Sequence, residues 1–174
     1  MKTAPIAFIA LTALCSAQPP ATPDDRFVAR TTQANLAEVQ MSAWAKDHAL
    51  SDEVRQFAGK VLNDHTVIAD ELRGLAAKQG ATPVTDLDPK DAAELDHMKV
   101  LEPNLLDREY MREVLRWHQK EVEAFKREIE NGKDAGLRYW AYQTLPKIEA
   151  HIKLGEETER AIGMEVADKI AQTK

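Results

Sequence analysis

The sequence predicts an all-α protein, an antiparallel four-helix bundle with a short connector helix between helices two and three. Apolar residues recur at intervals of four and three along four long segments. No segment alternates apolar and polar residues in the way a half-buried strand requires. The breaks fall at turn signals, two of them short and one a long crossing stretch, which is the spacing of two helical hairpins joined by a crossover. A chain of 174 residues gives one domain with a real core and no room for a second of ordinary size.

The elements follow in order. MKTAPIAFIALTALCSAQPP carries one early lysine, an apolar run from Ile6 to Leu14 and small residues before Gln18, the layout of a secretory signal peptide over residues 1–17. The run is too short to span a bilayer, and no transmembrane helix is expected after leader removal. The expected location is therefore the periplasm or the exterior. Lipidation of Cys15 is the rival reading, disfavoured by Leu14 where such signals want a small residue. Cleavage after Ala17 leaves no cysteine, which excludes thiolate chemistry.

Residues 18–25 read as a linker, 26–163 as the bundle and 164–174 as a tail. Helix one is expected over Arg26 to His48. Helix two opens at Ser51, an N-cap followed by Asp52 and Glu53 in the first turn, and closes at Gly80. Asp88-Pro89 is a cap with proline at the first helical position, so a connector helix covers Lys90 to Leu101 and ends at Glu102-Pro103-Asn104. Helix three runs from Asp107 to Glu130 and stops at Asn131-Gly132. Helix four covers Ala135 to Ile162, with Pro146 as a kink or a late start.

Composition removes several functions. A net charge of -6 leaves no basic surplus to neutralise phosphates, so no nucleic-acid partner is expected. No glycine-rich phosphate loop and no nucleophile with a matching base is present.

The stripes carry the functional signal. Helix two gives Val54, Ala58, Val61, His65, Ile68, Leu72 and Leu75, apolar but for its centre. Helix three gives Met111, Leu115, His118, Val122, Phe125 and Ile129. Helix four carries His151 between Ile148 and Gly155, and helix one carries Glu38 between Ala34 and Met41. With helices alternating in direction and turning near Leu50 and Lys133, Glu38 lies twelve residues before the first turn and His65 fifteen after it. His118 lies fifteen before the second turn and His151 eighteen after it. The mismatch in each hairpin is about 5 Å, one helical turn, so the four side chains converge on one level.

A lone histidine on an apolar stripe is ordinarily a hydrogen-bonded core residue, and a lone core glutamate is costly. Four together, with no lysine or arginine on those stripes, form a poor ion-pair network and a good metal shell: Glu38, His65, His118 and His151 around one zinc, copper or iron ion. Glu121, one turn beyond His118, is a fifth ligand, an acceptor beside the site or, by default, a solvated charge. Asp64 either orients an imidazole of a neighbouring helix or lies on the surface. Tyr110 hydrogen-bonds near the site or packs in the core. His48 reads as a helix C-terminal cap and His97 as exposed; Trp44, Trp117 and Trp140 read as packing residues.

The segments FVARTTQANLAEVQ, SDEVRQFAGKVLNDHT, LLDREYMREVLRWHQKEV and TLPKIEAHIKL resemble the bacterial family called domain of unknown function 4142, which is ferritin-like. The resemblance covers Phe27 to about Ile162 and places the family's pattern on Glu38, Asp64-His65, His118 and His151. The chain departs from the pattern in the connector, with Leu101-Glu102-Pro103-Asn104 where the family usually has a glycine. The resemblance implies no activity. Only one carboxylate lies in the central set, and the residues three before the histidines are Leu62, Leu115 and Ile148, so the four-carboxylate di-iron pattern is missing. Three functions stay open: an envelope protein of metal handling or stress resistance, a mononuclear redox enzyme of the superoxide type, and a structural or partner-binding bundle with a polar core.

Overall fold

A computed structural model describes residues 22–78 and 84–172, with side chains to residue 163; the leader lies outside the described residues. Helix α1 spans Pro23–His48. It begins before Arg26 because Thr22 and Asp25 form a capping box. Thr22 Oγ1 accepts the Asp25 N–H at 3.1 Å, Asp25 Oδ2 accepts the Thr22 N–H at 2.8 Å, and Pro23 takes the first turn. Helix α2 spans Asp52–Lys78 and helix α3 spans Pro89–Lys99. Asp88 caps α3, accepting from the N–H groups of Lys90 and Asp91 at 2.9 Å.

Helix α4 spans Pro103–Asn131, so Pro103 opens this helix rather than closing the connector. Proline is favourable at the first helical position, where its missing N–H has no helical partner to lose. Helix α5 spans Ala135–Gln172, past the expected end at Ile162, and runs through Pro146 without a late start. Pro146 withdraws the N–H that the Tyr142 carbonyl would accept; both residues are exposed, on the side of the helix that solvent reaches.

Two aspartates clasp the hairpins at opposite ends of the bundle. Asp107, near the start of α4, accepts from the N–H groups of Leu50 at 2.7 Å and Ser51 at 2.9 Å. Asp24, at the start of α1, accepts from Lys133 at 2.9 Å and Asp134 at 2.7 Å. The start of α4 therefore lies beside the α1–α2 turn, and α4 runs parallel to α2 rather than alternating with it. The crossover through α3 carries the chain back along the bundle, and each adjacent pair (α1–α2, α4–α5, α1–α4 and α2–α5) is antiparallel.

The core has two apolar halves. Met41, Phe57, Val61, Met111 and Leu115 belong to one, and Phe27, Ile68, Leu72, Phe125 and Ile148 to the other. Along every long helix the change from one half to the other falls at one residue: Glu38, His65, His118 and His151. A polar layer divides the apolar core. Gly155 brings α5 close to α4 beside that layer, since a Cβ there would lie 2.5 Å from Leu115 Cδ2 and 3.2 Å from Phe57 Cζ.

Candidate metal centre

The three histidines and Glu38 are each at most 1% exposed. Burial costs the charged form of any side chain, and it dominates here. It holds His65 below the ordinary imidazole range, and His118 at about 4 despite the opposing pull of Glu38. Burial likewise lowers His151 to about 4, against the hydrogen bond it donates to Asp64. All three imidazoles are neutral at pH 7. Burial raises Glu38 to about 7, and raises Glu121 well above the carboxylate range with Glu38 adding to it.

A neutral imidazole has one N–H and one lone pair, and its partners decide which nitrogen is which. His118 Nδ1 lies 2.7 Å from the Val114 carbonyl, an obligatory acceptor, so Nδ1 carries the hydrogen. His151 Nε2 lies 2.8 Å from Asp64 Oδ2. Burial pushes Asp64 up, but hydrogen bonds from Lys60 and His151 outweigh it and keep the carboxylate ionised. His151 Nε2 therefore donates. Asn35 Nδ2 donates to the His65 carbonyl at 3.0 Å, which turns Asn35 Oδ1 toward His65 Nδ1, also at 3.0 Å. His65 Nδ1 therefore donates as well.

The lone pairs fall on His65 Nε2, His118 Nε2 and His151 Nδ1, and these nitrogens face one another. His118 Nε2 lies 3.3 Å from His65 Nε2 and 3.0 Å from His151 Nδ1. No hydrogen remains to place between them. Two nitrogens bound at 2.0–2.1 Å to one tetrahedral ion are about 3.3 Å apart, so the spacing fits a shared cation.

Glu38 stands on the other side of two of the rings. Its Oε2 lies 2.7 Å from His65 Nδ1 and its Oε1 3.7 Å from His118 Nδ1. Neither contact has hydrogen-bond alignment, and both oxygens are buried without a hydrogen-bond partner. Potential ligand atoms thus form two overlapping groups, His65–His118–His151 and Glu38–His65–His118–Glu121, each with its atoms within 4.8 Å of one another. A buried His/Glu cluster that can hold a metal ion is present.

Glu121 is 7% exposed, with Oε2 buried and unpartnered, which corrects its default reading as a solvated charge. Asp64 lies against His151 and is further held by Lys60 Nζ at 2.8 Å. Tyr110 is buried one layer away, 2.9 Å from Ser42 Oγ. His48 Nδ1 meets the Trp44 carbonyl at 2.9 Å near the end of α1, and His97 is exposed. Trp44 also stacks on His48, with ring centroids 3.4 Å apart. Asn35, which holds His65 through two hydrogen bonds, is a site residue the sequence reading did not name.

Residues 10–157 match the family model "Domain of unknown function (DUF4142)". The chain belongs to that family. No curated protein matches it significantly. Two solved structures of another family of unknown function, DUF305, share the helical fold. One, from Streptomyces coelicolor, is 17% identical, with a TM-score of 0.70 over 82% of this chain and 94% of its own. A fragment from Deinococcus radiodurans is 19% identical, with a TM-score of 0.69 over 84% of this chain and 99% of its own. Among the described residues no helix is long and apolar enough to cross a membrane.

Proposed function

We propose that this protein binds one transition-metal ion in its core, held by His65 Nε2, His118 Nε2 and His151 Nδ1. The observation that carries this reading is the meeting of three lone pairs in a buried site, with His118 Nε2 3.3 Å from His65 Nε2 and 3.0 Å from His151 Nδ1. Without a cation or an extra proton those nitrogens repel one another, and the depressed imidazole pKa values argue against the proton. Asn35 and Asp64 then act through the imidazoles, accepting from and orienting His65 and His151, and the Asp64 carboxylate raises the basicity of His151. Glu38 is the one member of the set expected from the sequence that lies on the far side of the rings from these three nitrogens. A nitrogen-rich set suits zinc, copper or iron, with copper and zinc held most tightly.

The leader supports work in the cell envelope, in metal handling or stress resistance. The description of the Streptomyces neighbour also marks that protein for secretion. The test is elemental analysis of untagged protein purified from its native compartment, beside its His118→Ala variant. The expected result is close to one metal ion per chain in the parent and none in the variant. Metal-free protein in both cases, still unable to take up zinc, copper or iron when folded, overturns the reading.

A further inference from the structure

A site this buried needs a way in. Three side chains bordering the cluster reach toward the surface. Asn35 borders a groove of about 420 Å³ between α1 and α2, but its amide is committed to two hydrogen bonds with His65. Asp64 has a side chain 21% exposed, but it is tied between Lys60 and His151. Glu121 borders a cleft of about 500 Å³ between α1, α3 and α4. Its Oε2 is buried without a partner, and its ligand atom groups with those of Glu38, His65 and His118. Two of the three approaches are stoppered by satisfied hydrogen bonds. The third is bordered by Glu121, whose buried Oε2 has no partner.

We infer that the cleft between α1, α3 and α4 is the entrance for a divalent transition-metal cation, and that Glu121 is its capture ligand. This rests on the metal-binding reading above. Ala34 and Ala37 on α1 keep the cleft open, opposite Trp117 and Lys120 on α4. Glu121 takes the cation from the cleft, releasing its proton as the cation binds, and passes it on to the imidazole nitrogens. A carboxyl group suits a transfer step, because oxygen ligands hold zinc and copper less tightly than imidazole and release them inward.

An entrance residue and a resident ligand differ in their kinetics. Removing an entrance residue slows loading and release alike and leaves the equilibrium constant alone; removing a resident ligand speeds release and weakens binding. The experiment follows zinc uptake by metal-free full-length exported protein in a stopped-flow instrument, and zinc release to a chromophoric chelator. The variants are Glu121→Gln, Ala34→Phe to narrow the cleft and Leu36→Trp to fill the α1–α2 groove. Glu121→Gln is expected to slow both rates by about tenfold with one zinc still bound at unchanged affinity. Ala34→Phe is expected to slow both as well, and Leu36→Trp neither. Unchanged rates in folded Glu121→Gln overturn the entrance, as does slowing by Leu36→Trp alone. Weakened affinity with fast release makes Glu121 a resident ligand and overturns the capture role. A parent that binds no zinc at equilibrium overturns the metal site itself, a result distinct from the others. If Ala34→Phe fails to fold, Glu121→Gln decides.

Discussion

Glu128 is an acid buried among acids. It is 4% exposed near the end of α4, with Oε1 unpartnered and with Asp24 and Asp134 close by. Burial first, and those two carboxylates second, raise it to about 7 from an ordinary 4.5. Between these values the folded chain holds a proton that the unfolded chain has lost. Stability from this group is therefore full below about pH 4.5 and is lost as pH rises through 7. Glu128→Gln is expected to leave the melting temperature nearly unchanged at pH 4.5 and to raise it at pH 8. A gain on the order of 1 kcal/mol would appear as about 2–4 °C in a thermal melt. An equal effect at both pH values would contradict this. Glu121 and Glu128 were both hidden from the stripe count for one reason. Beginning at Met111, the steps can land on His118, Val122, Phe125 and Ile129 or on His118, Glu121, Phe125 and Glu128, and apolar preference selects the first. The buried set is the second, with Val122 and Ile129 only half-buried. Asn35 was lost the same way beside Ala34. Polar residues that face inward to serve a site follow no apolar pattern, so their neighbours on the helix hide them.

Helix packing beside the polar layer depends on one absent side chain. Gly155 lets α5 approach Leu115 and Phe57 more closely than any Cβ allows. Gly155→Ala gains helix propensity, about 0.8–1.0 kcal/mol, but forces Leu115 from its place at a typical overpacking cost of about 1–3 kcal/mol. The cost should shrink when Leu115 is also truncated. A double-mutant cycle with Leu115→Ala, followed by denaturant unfolding, is expected to show Gly155→Ala less damaging in the truncated background by at least about 0.5 kcal/mol. Strict additivity would mean that the two helices do not meet there. Element ends were legible where a cap stated them, as at Asp88 and at Asn131-Gly132. They were misplaced where proline carried two meanings. Pro103 was read as a stop and is a start, and Pro146, read as a kink or a late start, marks no late start because the helix already begins at Ala135.

At the scale of the whole molecule, two apolar halves enclose one polar layer. Each long helix contributes at least one residue to it, and the bundle brings those residues to a common level without any local sequence motif. The layer costs stability in the metal-free protein, because buried ionisable groups lose hydration and Glu38 finds no aligned partner. A cation bound only by the folded chain offsets that cost by an amount that grows with its concentration over its dissociation constant. The level of the layer was readable from hairpin arithmetic, since each turn fixes the height of its own two helices. The direction of α4 was not, because the crossover through α3 leaves no mark in the apolar spacing. A rival acidic cluster, Glu94, Glu109 and Glu113, is half-buried to buried, and Arg112 and Arg116 already pair with two of its members.

The most direct measurement is anomalous X-ray diffraction from crystals of the zinc-loaded protein, recorded above and below the zinc absorption edge. A single strong peak is expected in the core, about 2.0–2.1 Å from His65 Nε2, His118 Nε2 and His151 Nδ1. A peak at Glu94, Glu109 and Glu113 with none among the histidines would contradict the central claim.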